Sequence, residues 1–457
     1  MPIEITFPGL ATLIEARMME YRVPGVAFGV CKNGHTRIGT FGVTNIDDPQ
    51  PITPETVFPI ASISKCVTAT AVMRLVEQGT VEMKAPVRRY LPEFRVLSEE
   101  ASRNVTLLHL LTHTPGWEGQ LATEDRGDDS LASLVSGLRD LPQVSDPGAV
   151  WSYNNTGFGV AGRVIEVATG QSIHDSLRDL AFAPLGLRVA LTRTSEVLNQ
   201  PLAAPHRQST DGRTETIKRL DLPANVTAGG VAMTLPSLLE FGRLHMGNVS
   251  GSNGTNVFRR SSLELMRTPQ LRKNSTGDDM GVGWHLRRVG GLLTVAHGGT
   301  LDGHCVLLEL VPERDLVFAV LTNHRDGWRV IQDVERETLK RYENVSLAAN
   351  QAIAHRGVNE SMAAHAIPLA TQPETAEYLG VYERPPLGRV VVKNEGRTLT
   401  LSSDLGAGPP GASLVFYGPD VAYATSGTFL GSPFEFIRTC SGAVGWIRIN
   451  GRVARRI

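Results

Sequence analysis

The sequence predicts an α+β protein: an antiparallel β-sheet flanked by helices and interrupted by an inserted all-helical region, followed by a small C-terminal all-β domain. Three observations predict it. Segments with strand periodicity occur near the start of the chain and again at 281–323, with helix-period segments between them. Beyond residue 375 the chain changes to short alternating runs separated by Gly and Asn turns. The 457 residues are 41% hydrophobic and 20% charged, a globular composition that excludes disordered, collagenous and membrane-spanning chains.

Taken in order, residues 9–21 place Leu10, Leu13, Ile14 and Met18 at helical spacing, and a Val-Pro-Gly turn ends that helix. VAFGVCKNGHTRIGTFG (26–42) alternates around Asn33-Gly34 and predicts a hairpin. From Ser62 to Gln78 the period returns to helical, with Gly79 as the stop, and helices fill a region of about 66–225. Residues 281–323 read as three or four strands separated by Gly-Gly, Asp-Gly and Pro-Glu-Arg-Asp turns, and 328–343 as a closing helix. These elements make one unit over 1–343. A weakly periodic stretch at 344–374 reads as a linker, and 375–457 as an antiparallel β domain, either sandwich or barrel. Three roles are open to this domain: shaping a pocket mouth, mediating a homodimer, or covering an apolar face.

With 45 basic and 46 acidic residues, the formal charge of −1 provides no global field to draw the chain to nucleic acid or an anionic membrane. Small uncharged partners are expected instead. The four cysteines lack the close pairing of zinc or thioredoxin-like sites, and neither a metal nor a cofactor is expected. No basic region followed by an apolar run opens the sequence, and nothing approaches the ~20 apolar residues of a membrane span, so a cytoplasmic setting is expected. Asn-x-Ser/Thr triplets at Asn104, Asn154, Asn225, Asn248, Asn253, Asn274, Asn344 and Asn359 are accordingly read as composition.

Ser62 stands at a helix start in VFPIASISKCVTATAV, with Lys65 three residues on, so both side chains point one way. A serine hydroxyl is a poor nucleophile until a neighbouring base takes its proton, and a helix N-terminus offers N–H groups where an oxyanion would form. Ser-x-x-Lys alone also describes an N-capping serine beside a solvated lysine. Two later segments add to it. One is Tyr153-Asn154-Asn155, and the other is His297-Gly298-Gly299, on an apparent strand.

In this order and spacing the three elements resemble the serine β-lactamase and penicillin-binding-protein superfamily, specifically its class C branch. The resemblance runs from about residue 10 to 340 and includes Leu-Leu-Thr-His-Thr-Pro-Gly at 110–116, Pro-Leu-Gly at 184–186, Ala-Gly-Gly at 228–230 and Leu-Thr-Asn at 321–323. It implies the β-lactamase/transpeptidase fold. It also implies that Ser62 is the acylated nucleophile, Lys65 its electrostatic partner and Tyr153 the general base, a phenolate stabilised by the lysine cation. Asn155 would position Lys65 and hydrogen-bond substrate. The oxyanion hole would be the backbone N–H groups of Ser62 and Thr300, and Gly299 would let substrate approach the strand closely. The third motif departs from the Lys-Thr-Gly of β-lactamases, because His297 and Gly298 replace the residues that hold the drug carboxylate. His-Gly-Gly looks more like the esterase, D-aminopeptidase and acyltransferase members. The resemblance therefore implies a serine hydrolase of esters or amides, with an acyltransferase as the alternative; a true β-lactamase or a silent scaffold is less favoured.

Some features invite other readings. Gly157-Phe158-Gly159-Val160-Ala161-Gly162 matches a dinucleotide fingerprint but lacks the strand before it. His109 and His113 stand at metal-ligand spacing without the glutamate of zinc peptidases and are read as a buried turn beside the pocket. Cys66 is read as core. Trp117, Trp151 and Trp284 could each line the cleft or pack in the core.

Overall fold

The computed structural model describes residues 3–4, 9–345 and 368–457, apart from 122, 188, 219–221, 248–256, 276, 397 and 405–410. Most of the segment read as a linker, and the triplets at Asn248, Asn253 and Asn359, lie outside the described residues. Asn154 and Asn225 are buried.

One nine-stranded sheet organises the first part of the chain. Its strands are β1 (Ile3–Glu4), β2 (Gly25–Lys32), β3 (His35–Gly42), β4 (Leu271–Arg272), β5 (Asp279–Met280), β6 (His285–Val289), β7 (Leu292–Leu301), β8 (His304–Val311) and β9 (Leu316–Thr322), in spatial order β1-β3-β2-β9-β8-β7-β6-β5-β4. All neighbours run antiparallel except β1 and β3. The β2–β3 hairpin turns through Asn33 and Gly34 at φ 50° and 77°, the paired left-handed residues that an Asn-Gly turn supplies. β8 and β9 are buried along their whole length, and their continuous apolar sequence follows from cover on both faces.

The helices that matter for the site are α1 (Leu10–Tyr21), α2 (Ser64–Glu77), α3 (Asn155–Thr169), α4 (Leu235–Leu244) and α5 (Trp328–Glu343). α1 and α5 cover one sheet face, with Leu10, Ile14, Val330 and Val334 meeting Phe28, Leu307 and Phe318. α4 and the helices inserted between β3 and β4 cover the other. α2 begins at Ser64 and is preceded by a 3₁₀ turn, Ala61–Ile63, that holds Ser62; the helix expected from Ser62 starts two residues late. It is buried nearly all round because it runs through the middle of the helical region. The glycines of the dinucleotide-like run lie on α3, where they serve packing: a Cβ on Gly159 would come 2.1 Å from Leu134, and one on Gly162 2.5 Å from Thr227.

The C-terminal domain is a closed eight-stranded barrel with strands in sequence order: β10 (Gly380–Arg384), β11 (Gly388–Glu395), β12 (Thr398–Ser403), β13 (Ala412–Gly418), β14 (Val421–Ala424), β15 (Pro433–Arg438), β16 (Val444–Ile449) and β17 (Arg452–Arg456). β10 and β17 close it through Tyr382 opposite Arg456. Tyr378, Tyr382, Phe416, Phe434 and Phe436 are buried in its core. It docks on the helical region through a bidentate ion pair between Arg384 and Glu118. Val453 packs with Val144 and Val150, and Trp446 Nε1 donates to Val144 O at 2.9 Å.

Between the sheet and α5, Arg287 Nη2 lies 2.9 Å from Glu309 and 2.5 Å from Glu335, both carboxylates being buried. Burial pushes Glu309 up to about 8, against the pull of Arg287 and reinforced by Glu335. The folded chain thus holds a proton that the unfolded chain releases near 4.5, so stability falls as pH rises between these values. Urea unfolding should give a lower stability at about pH 9 than at about pH 6, and Glu309→Gln should flatten that difference.

Candidate active site

Ser62 is held by its turn. Ala61 adopts φ 48°, a left-handed conformation costly for a residue with a Cβ, which the surrounding bonds must enforce. Ser64 supplies them: its Oγ donates to Ala61 O at 2.6 Å and accepts Val231 N–H at 3.0 Å. Lys65, one residue into α2, is fully buried; its Nζ donates to Ala228 O at 2.6 Å and lies 3.2 Å from Ser62 Oγ. Burial, helped by the charge of Arg452, holds the Lys65 amine well below the ordinary lysine range. Cys66 faces away, with Sγ 3.2 Å from Gly283 O, and burial pushes its thiol up.

Tyr153 enters from the segment that caps α3. Asn154 is the N-cap, its Oδ1 accepting Gly157 N–H at 2.7 Å and its Nδ2 donating to Trp117 O at 2.8 Å. The Tyr153 ring lies 4.9 Å from Lys65 Nζ. Burial pushes the phenol up to about 12, against the opposing pull of the hydrogen bond with Ser62 and the charge of Arg452. This runs against the expected phenolate–ammonium pair. Burial raises the cost of charge on both groups and so disfavours both the ammonium and the phenolate. Asn155 gives its Nδ2 to Gln120 Oε1 at 3.1 Å, whereas Lys65 bonds to Ser62 and Ala228.

β7 brings the third group. His297 is buried, and its Nδ1 lies 2.7 Å from Gly298 O; a carbonyl can only accept, which puts the proton on Nδ1. Its ring stands 6.5 Å from Tyr153 and 4.8 Å from His285. Gly299 is where the strand meets the nucleophile turn: a Cβ there would lie 2.5 Å from Ile60 O and 2.8 Å from Ala61 Cβ. Thr300 follows, its Oγ1 accepting Trp328 Nε1–H at 2.7 Å.

The family model described as Beta-lactamase matches residues 10–339. This chain belongs to the Beta-lactamase family. Penicillin-binding protein 4 of Amycolatopsis lactamdurans is 34% identical over 332 residues, covering 71% of this chain and 87% of that protein. Esterase EstB of Burkholderia gladioli is 32% identical over 228 residues, 46% of this chain and 57% of the esterase. The solved structure of SurE superposes with a TM-score of 0.80 over 98% of both chains at 23% identity, a likeness of fold that takes in the barrel as well as the Beta-lactamase part.

The structure thus brings Ser62, Lys65, Tyr153, His297, Gly299 and Thr300 to one place, with Asn155 beside Gln120. The sequence reading missed Arg452. The β16–β17 hairpin of the barrel turns at Asn450-Gly451, Gly451 O accepts Tyr153 N–H at 2.8 Å, and the Arg452 guanidinium lies 5.4 Å from the Tyr153 ring and bonds Gln120. Nothing local marks GRVARRI as part of a Beta-lactamase-family site; only the docking of the barrel brings it there. Of the tryptophans, Trp117 and Trp284 are core, while Trp151 stands 6.5 Å from Tyr153 between Lys273 and Arg448. His109 Nδ1 accepts Thr106 N–H at 3.3 Å, capping a short helix. Among the described residues no group of three or more His, Cys, Asp or Glu is placed to hold a metal ion, and no helix is long and apolar enough to cross a membrane. Gly299→Ala should keep the fold yet lower kcat/KM by about 100-fold, because the added Cβ forces β7 away from the nucleophile turn; steady-state kinetics beside a circular dichroism spectrum checks this.

Proposed function

We propose that this chain is a serine hydrolase that cleaves small esters or amides through a covalent acyl-enzyme on Ser62. The observation that carries the reading is Ser62 Oγ at 3.2 Å from the fully buried Lys65 amine, which burial holds well below the ordinary lysine range. A neutral Lys65 takes the Ser62 proton as Oγ bonds to the substrate carbonyl carbon, and the Ser62 and Thr300 N–H groups receive the oxyanion. Tyr153 donates its phenolic proton to the departing alcohol or amine and is reprotonated from Lys65. Water, deprotonated by the reverse relay, then releases the acid and frees Ser62. Asn155 and His297 border the acyl group. The relatives named esterase and penicillin-binding protein support acyl chemistry of this kind.

The third motif narrows the substrate. With His297-Gly298 in place of Lys-Thr, the site lacks the pair that would hold a drug carboxylate, so short nitrophenyl esters should turn over faster than D-amino-acid amides, and a chromogenic cephalosporin slowest. In a second reading an alcohol or amine replaces water as acceptor, making the protein an acyltransferase. The barrel hairpin lying against the Tyr153 segment favours it, since cover over the site limits access of bulk water. Product analysis with a saturating acceptor separates the two, exclusive hydrolysis excluding transfer. A fluorophosphonate probe should label the native protein and not Ser62→Ala; labelling undiminished in that variant would refute the nucleophile.

A further inference from the structure

The segment that carries Tyr153 is held by three consecutive backbone donors, and one residue accepts two of them. Ser152 N–H donates to His113 O at 2.9 Å, Tyr153 N–H to Gly451 O at 2.8 Å, and Asn154 N–H to His113 Nδ1 at 2.9 Å. The His113 imidazole also lies alongside the phenol, ring centroids 4.5 Å apart and planes tilted by 31°, with the Trp151 ring edge-on to it and the Phe158 ring 5.1 Å away. His113 is completely buried and sits at φ 61°, a conformation that a β-carbon disfavours and that persists only where the surroundings enforce it. The hydroxyls of Thr112 and Thr114, on either side of it, lie 3.0 Å apart, and Thr114 O accepts Gly148 N–H at 2.8 Å.

We infer that His113 is a positioning residue for the proposed reaction: its backbone carbonyl and Nδ1 clamp residues 152 and 154, and its ring face sets the angle at which Tyr153 presents its hydroxyl to Ser62 and Lys65. The inference rests on the reading of Tyr153 as proton relay. Because Nδ1 accepts the Asn154 N–H, the imidazole is neutral with its proton on Nε2. Burial holds it there, and a protonated ring would lose the Asn154 bond. The geometry also explains why a histidine stands in this turn. It combines a ring to stack on the phenol with an acceptor at the δ position.

The test is a series at one position. Asparagine places an acceptor near the Nδ1 site and tolerates left-handed backbone, alanine removes the acceptor, and glutamine carries its acceptor farther out. For a short nitrophenyl ester, His113→Ala should lower kcat by about 100-fold with KM changed less than about threefold, and His113→Asn should recover at least about tenfold of that loss. His113→Gln should match the alanine variant. Tyr153→Phe is measured alongside. If Tyr153→Phe keeps wild-type kcat, the reading of Tyr153 itself falls. If it loses activity while His113→Ala does not, or if Asn, Gln and Ala behave alike, the positioning inference alone is overturned. Where His113→Ala does not fold, the Asn-against-Gln difference in kcat decides the matter.

Discussion

Lys65 is fully buried: its Nζ lies between Ser62 Oγ at 3.2 Å and Ala228 O at 2.6 Å, with the rings of Tyr153 and Phe158 over it at 4.9 and 5.7 Å. An ammonium in that position loses its hydration, and the charges that act on it are those of Arg452 and Cys66 rather than a carboxylate. Burial therefore disfavours the ammonium, and an unprotonated amine beside a serine hydroxyl can take its proton in the proposed reaction. The same burial pushes the Tyr153 phenol up to about 12. Much of the surrounding architecture packs against these two residues.

Each layer contributes one constraint. The sheet supplies β7, which approaches the nucleophile turn closely enough that only glycine fits at 299. The helical region surrounds α2 so completely that its lysine cannot reach solvent. The barrel closes the remaining side: its hairpin tip captures the Tyr153 N–H, and Arg448 Nη2 donates to Trp151 O at 3.1 Å two residues earlier. With aromatic side chains buried in its core and arginines at its docking face, the barrel acts here as a wall of the site. These contacts place the barrel's hairpin directly against the segment that carries Tyr153.

How much of this was legible beforehand depends on whether the signal is local. The Asn33-Gly34 hairpin, the closing helix at 328–343, and the three motifs with Ser62, Tyr153 and His297 are written in short stretches whose chemistry is their own. The closed form of the barrel was not, because alternation marks strands without saying whether the first pairs with the last. Arg452 was not either, since its place beside Tyr153 arises from contact between segments about 300 residues apart. A lysine and a tyrosine in one motif set suggest mutual charge stabilisation, whereas burial, which the motifs do not disclose, disfavours the charged form of each. His113 was visible as a histidine in a turn, but its role depends on φ and on which N–H groups reach it.

Because the account stands on a neutral Lys65, the most direct measurement is the titration of that amine itself. Isotope-labelled lysine, with the Lys65 resonance assigned by its loss in Lys65→Arg, can be followed by NMR across the pH range in which the protein stays folded. The account predicts that the Lys65 signal passes to its neutral form well below the pH range of an ordinary lysine. A Lys65 resonance that remains that of an ammonium up to the ordinary lysine range would contradict it and return the role of base to Tyr153.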